Sequence, residues 1–272
     1  MKSNCFLQFD SFGSPTNLRS GRIPILMLAV LAVVMVALLI ASVAFLTRAP
    51  VPAALPIPTP NAYGQMVRLG GSVQGVPTTG INECSAVTLT EFLDANRQII
   101  AELDSVLQNE SVVPIGFSQD YLEVEFENIS RLRQLLRVID AKAKLAQMED
   151  RPVDAADGYV TLLIAARKIQ RGGLFIHMQV GCAYERVAWP ALGELASQLS
   201  ADEKANVAWQ IQSLTPRDKD FLSREIAIGK KQVGRVRMFL MRSHTAATNE
   251  RNMAIIAELE AAEKAAMSKL IP

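Results

Sequence analysis

The chain has little of what catalytic centres are commonly built from. It carries two histidines, His177 and His244, and three cysteines, Cys5, Cys84 and Cys182. Neither histidine stands in a zinc-binding spacing such as His-Glu-x-x-His, and neither pairs with a nucleophile at a recognisable interval. No Gly-x-Ser-x-Gly elbow occurs. Gly70-Gly71 and Gly172-Gly173 have no strand before them, so they read as helix stops and not as phosphate loops. Aromatic residues are 6% of a chain that is 50% apolar, so Ala, Leu, Val and Ile must fill the core. That favours packed helices over a β-sandwich, and no alternating strand run appears. The net charge of +1 gives no whole-surface case for nucleic acid. The sequence therefore nominates no catalytic set, no cofactor, no metal and no nucleic-acid partner.

What is present begins with residues 23–46, apolar throughout except Pro24 and Ser42, without a charge, and bracketed by Arg22 and Arg48. As a helix this run would rise roughly 36 Å, against about 30 Å for a bilayer core. It predicts a transmembrane helix after a polar tail, residues 1–22. Residues 1–48 hold Lys2, Arg19, Arg22 and Arg48 against Asp10 alone, while the remainder is slightly acidic. The positive-inside rule then places the N-terminus in the cytoplasm and residues 49–272 outside it, as a single-pass cell-membrane protein. Ser42-Val43-Ala44 would serve as a signal-peptide cleavage site, but the run exceeds the roughly 7–15 residues of a signal core. Five prolines within residues 50–60 predict a semi-rigid polyproline stalk, making 47–60 a linker.

Residues 61–272 read as a domain of antiparallel α-helices. Asn61 caps a short helix over 61–69, and residues 72–87 form an irregular loop. Thr88-Leu-Thr-Glu91 opens a helix to about 109, with Phe92, Ile99, Leu103 and Val106 on one face. A long helix over 120–148 buries Phe126, Ile129, Leu132, Leu136, Ile139 and Ala143. A turn at 149–152 leads to a helix ending near 171, apolar nearly all round and so central. The helix over 174–199 presents Ile176, Val180, Ala183, Val187, Ala191 and Leu195, with a kink or break at Pro190. Close approach of a neighbour is expected at Gly181. Ser200-Ala-Asp-Glu203 opens another helix, to 214. The last two run over 216–242 and 246–270.

Ala143, the 149–152 turn, Ala155 and Tyr159 resemble the small and aromatic positions of one tetratricopeptide helix pair. Pro60-Asn-Ala-Tyr63, Leu132-Arg-Gln-Leu-Leu136, the run from Gly158 to Gly173 and Val180-Gly-Cys-Ala183 resemble a family of membrane-anchored helical proteins common in planctomycete bacteria. That resemblance spans residues 20 to about 215. It implies the anchored, all-α architecture and carries no activity.

Four carboxylates, Glu123, Glu125, Asp140 and Glu185, lie nearest apolar stretches, and their spacing does not separate a catalytic pair from a solvated face. His177 reads as a polar position near a helix start. Between 217 and 242 eight basic residues face three acidic ones. Arg224, Lys231, Arg235 and Arg242 share one helical face, either an anionic-surface contact or a face paired with the acidic last helix. Cys84 and Cys182 are candidates for a disulfide in an exported domain. The function expected is a membrane-tethered extracytoplasmic interaction or scaffolding module with an unidentified protein partner. The alternative is an enzyme or small-molecule binder whose site forms only on folding.

Overall fold

The computed structural model describes residues 30, 32–40, 42, 55–116, 121–232 and 235–271, excluding the side chains of 121, 122 and 227–249. It divides into two units, Met1–Ala49 and Pro50–Pro272. In the first, residues 30, 32–40 and 42 are helical and exposed. The expected transmembrane helix is corrected here: among the described residues no helix is long and apolar enough to cross a membrane. The rest of 23–46, the tail 1–22 and linker residues 47–54 lie outside the described residues.

Among the described residues the second unit is helical, with no strand. Its helices are α1 (Ala62–Gly71), α2 (Ala86–Ala95), α3 (Arg97–Gln108), α4 (Tyr121–Met148), α5 (Pro152–Gln170), α6 (Phe175–Leu195), α7 (Ala201–Gln212), α8 (Phe221–Gln232) and α9 (Arg235–Leu270). The apolar α5 lies between α4 and α6, α1 and α2 lie on α4, and α9 lies on α6. The main core is aliphatic, built on Leu132, Leu136, Ile139, Leu162, Leu163 and Ile169 around Trp189.

Tight turns make the central hairpins. Pro152 occupies the first turn of α5, and Asp150 before it adopts φ 56°. Gly172, at φ 76°, ends the α5 side of the next turn. The α4–α5 pair closes where Gly158 meets Ala143. A Cβ on Gly158 would sit 2.8 Å from the Ala143 Cβ and 2.9 Å from its Cα. Gly158→Ala should therefore lower stability by about 1–3 kcal/mol through overpacking, net of a helix-propensity gain of about 1 kcal/mol. Urea denaturation measures it; an unchanged midpoint would mean the two helices separate freely.

Several boundaries differ from the sequence reading for local reasons. The helix expected over 88–109 is two, α2 and α3, because Asn96 is buried at their junction. Its amide donates to the carbonyls of Gln74 (2.8 Å) and Phe92 (2.7 Å), and its Oδ1 accepts from Gln74 N (2.9 Å). It thereby ties the 72–87 loop to the helices. Pro190 neither splits α6 nor ends it. The residue is exposed, so the carbonyl it leaves unbonded can be met by water. The segment 215–220 is not helical, and α8 starts only at Phe221. Two long-range bonds and a local one hold that segment: Thr215 O accepts from Arg167, and the Asp218 carboxylate accepts from Gly172 N (2.6 Å) and, locally, from Asp220 N (2.9 Å). The break expected at 243–245 is absent, since α9 is continuous from Arg235.

Candidate functional site

Two buried polar clusters organise the inside of the domain. The first joins α1, α4 and α6. Asn61 caps α1, its Oδ1 accepting from Tyr63 N (3.2 Å) and Val112 N (3.1 Å), which directs Tyr63 inward. Glu125 meets it from the first turns of α4, and His177 from the first turn of α6. Glu125 Oε1 accepts from the Tyr63 hydroxyl and lies 2.6 Å from His177 Nε2. The hydroxyl is itself 3.1 Å from Nε2. His177 Nδ1 accepts the backbone N–H of Leu174 at 3.0 Å, which places the ring proton on Nε2, aimed at Glu125. All three are at most 3% exposed. Burial pushes the Glu125 carboxyl up, but hydrogen bonds from His177 and Tyr63 outweigh it and hold the group below its usual range. Phe126, expected in the core, is 60% exposed, because the inward position of that turn belongs to Glu125.

The second cluster joins α5, α6, the 215–220 segment and α9 around Glu185, which is fully buried. Its Oε1 accepts from Gln170 Nε2 (2.7 Å), and Arg167 Nε lies 2.8 Å away, close as an ion pair though poorly aligned as a hydrogen bond. Its Oε2 accepts from Arg217 Nη2 (2.6 Å) and Nε (3.0 Å). Glu263, from α9, lies 3.0 Å from the Nη2 atoms of both arginines through one oxygen. Gly181 makes this possible: a Cβ there would fall 2.3 Å from Gln170 Nε2, so the expected close approach is occupied by Gln170. Over the arginines lies an open cleft of about 450 Å³, bordered also by Lys219, Glu260 and Lys264.

A third buried group stands apart. Asp140 is 6% exposed and its Oδ1 has no hydrogen-bond partner. Burial raises its pKa to about 6, against a partial lowering by Lys144. Burial first, and then the Asp140 charge, push the Tyr159 and Tyr184 hydroxyls up to about 12.

Of the four carboxylates singled out, Glu125, Asp140 and Glu185 are buried in separate surroundings, and Glu123 is exposed. No pair of them converges. Arg224 is buried: Nε donates to Gly173 O (3.0 Å) and Nη2 pairs with Asp218, so it braces the α5–α6 turn. The side chains of Lys231, Arg235 and Arg242 lie outside the described residues. Among the described residues the last helix pairs with Arg186 through Glu258 and with Lys219 through Glu260. Cys84 and Cys182 are free and buried, a correction to the candidate bridge. Cys84 belongs to a small cluster with Leu89, Phe92 and Val138, whereas Cys182 lies in the main core with its Sγ 3.3 Å from Met178 Sδ. Burial pushes the Cys182 thiol up to about 11.

No family model, no curated protein and no solved structure matches this chain.

Among the described residues no three His, Cys, Asp or Glu side chains are grouped to hold a metal ion. Tyr63, Arg167, Gln170, Arg217 and Glu263 were not nominated from sequence. A signal existed for the inner face of α6: His177, Gly181, Glu185 and Trp189 follow one another at intervals of four.

Proposed function

We propose that residues 61–272 form a non-catalytic interaction module built from helical hairpins. One observation carries this reading. Tyr63, Glu125 and His177 are the residues best equipped for acid–base work, and they are buried and hydrogen-bonded to one another, to the Leu174 backbone and, through Glu125 Oε2, to Asn128 at 3.4 Å. A general base has to reach a substrate proton at about 2.6–3.2 Å, and this one already holds an internal partner at that range. The trio joins three helices as a polar key, a role that buried, satisfied networks fill well. The charged groups that reach solvent border open clefts, which suits recognition of a partner surface.

The test is a photo-crosslinking amino acid placed at Trp209, 68% exposed, and at Lys264, in the expressing cells, with and without His177→Gln. A discrete protein adduct is expected at one of the two positions. His177→Gln should lower the melting temperature and leave that adduct in place wherever the domain remains folded. Absence of any adduct would contradict the reading, as would loss of the adduct without loss of stability.

A further inference from the structure

We propose that the cleft over Arg167 and Arg217 is a binding site for a carboxylate group, occupied in this structure by the chain's own Glu263. The two guanidiniums are 5% and 4% exposed, and both pair with the buried Glu185. Glu185 grips both from beneath, and Thr215 O accepts from Arg167 Nη1 (3.3 Å). Arg167 Nη2 donates to Glu263, and Arg217 Nη2, which also donates to Glu185, lies equally near it. Glu263 meets them with one oxygen at 3.0 Å from each, while its other oxygen bonds no described residue. The Glu263 side chain is 31% exposed, so a rotamer change takes it into solvent without unpacking α9. Its departure leaves Arg167, Arg217, Lys219 and Lys264 with Glu185 and Glu260 as the carboxylates near them among the described residues.

A carboxylate is the chemistry this geometry selects. The resident group is one, and guanidinium N–H groups such as the Nη2 groups it meets on Arg167 and Arg217 are the donors a carboxylate prefers. The arginines are held in place before any ligand arrives, so little ordering is needed on binding. Lys264 is exposed at the rim and Lys219 holds Glu260 at 2.9 Å, which gives a second carboxylate of the ligand a place to go. A free dicarboxylate and an acidic peptide segment share this chemistry. The site holds in either case; the peptide is the source that the interaction reading requires.

The experiment is calorimetric titration of the folded wild-type protein and of Glu263→Gln with succinate and, separately, with a hexaglutamate peptide, at low and high salt. Glu263→Gln removes the internal competitor and should bind at least tenfold more tightly than wild type. Adding Lys264→Gln should weaken binding severalfold, and so should salt. Arg217→Lys keeps the charge for Glu185 but loses the planar fork, and should bind far more weakly; circular dichroism and melting confirm that it folds. Binding of the peptide supports both readings. Binding of succinate alone supports the carboxylate site and removes the ground for a protein partner here. Absence of saturable binding to folded Glu263→Gln by either probe, or binding insensitive to Lys264→Gln, overturns the site and leaves an interaction surface elsewhere untouched.

Discussion

Glu185→Gln is expected to lower the stability of the domain by about 3–5 kcal/mol. Glu185 is fully buried and shared by two buried arginines, and its removal leaves both guanidiniums with Glu263 as their remaining anion among the described residues. Breaking one side of a buried ion pair costs that much because the partner's charge is stranded in low dielectric. The neutral amide keeps the shape, so a cavity does not confuse the result. Replacing Arg167 and Arg217 by Met together with Glu185→Leu should recover much of the loss, because well-packed apolar groups avoid the desolvation cost altogether. Urea denaturation of the two variants measures both. A loss below about 1 kcal/mol for Glu185→Gln would place the cluster in the class of surface ion pairs.

Asp140→Asn should stabilise the protein, by an amount that grows as pH rises from about 4 to about 6 and is level above that. The carboxyl titrates near 6 in the folded state against 3.8 as its ordinary value, with burial as the main cause. The sign follows from linkage. The folded state binds this proton more tightly than the unfolded chain, so its contribution favours folding most below the unfolded pKa. It falls away as pH rises through the folded pKa. The ionised form costs at most about 3 kcal/mol above pH 7, since each pKa unit is worth about 1.4 kcal/mol. An amide carries no charge to desolvate. Part of the gain is offset because the Oδ1 position still lacks a partner. The expected difference between variant and wild type is about 1–3 kcal/mol at pH 8, shrinking towards zero near pH 4. A difference independent of pH would mean that Asp140 ionises freely and finds water or Lys144.

The helical class, the central place of α5 and most hairpin turns were legible because they rest on local signals. Pro152 before a helix, Ser200 three residues before Glu203, and an apolar run from Tyr159 to Ala166 need no tertiary knowledge. The inner face of α6 was misread for a physical reason. The stripe of Ile176, Val180, Ala183, Val187, Ala191 and Leu195 is the more apolar one, yet Ala183 is exposed and Ile176, Val187 and Ala191 are only half-buried. The buried face runs through His177, Gly181, Glu185 and Trp189, because partners from other helices satisfy its polar groups. The same holds at Glu125 and Phe126, where the carboxylate is inside and the ring outside. Periodicity assigns polar residues to water unless a partner is known, and here the partners are 52 residues from Glu125 along the chain and 32 from Glu185. Asn96 escaped for a similar reason, since its bonds close a loop 22 residues away.

A non-catalytic module requires the Tyr63–Glu125–His177 cluster to be a sealed structural key. Nitrogen-15 NMR of the His177 ring tests this directly. The expected result is a proton on Nε2, a bare Nδ1 shifted by the Leu174 N–H, and an Nε2 proton that exchanges slowly with solvent. A proton on Nδ1, or an Nε2 proton exchanging as fast as that of an exposed histidine, would contradict it and return His177 to the list of groups able to reach a substrate.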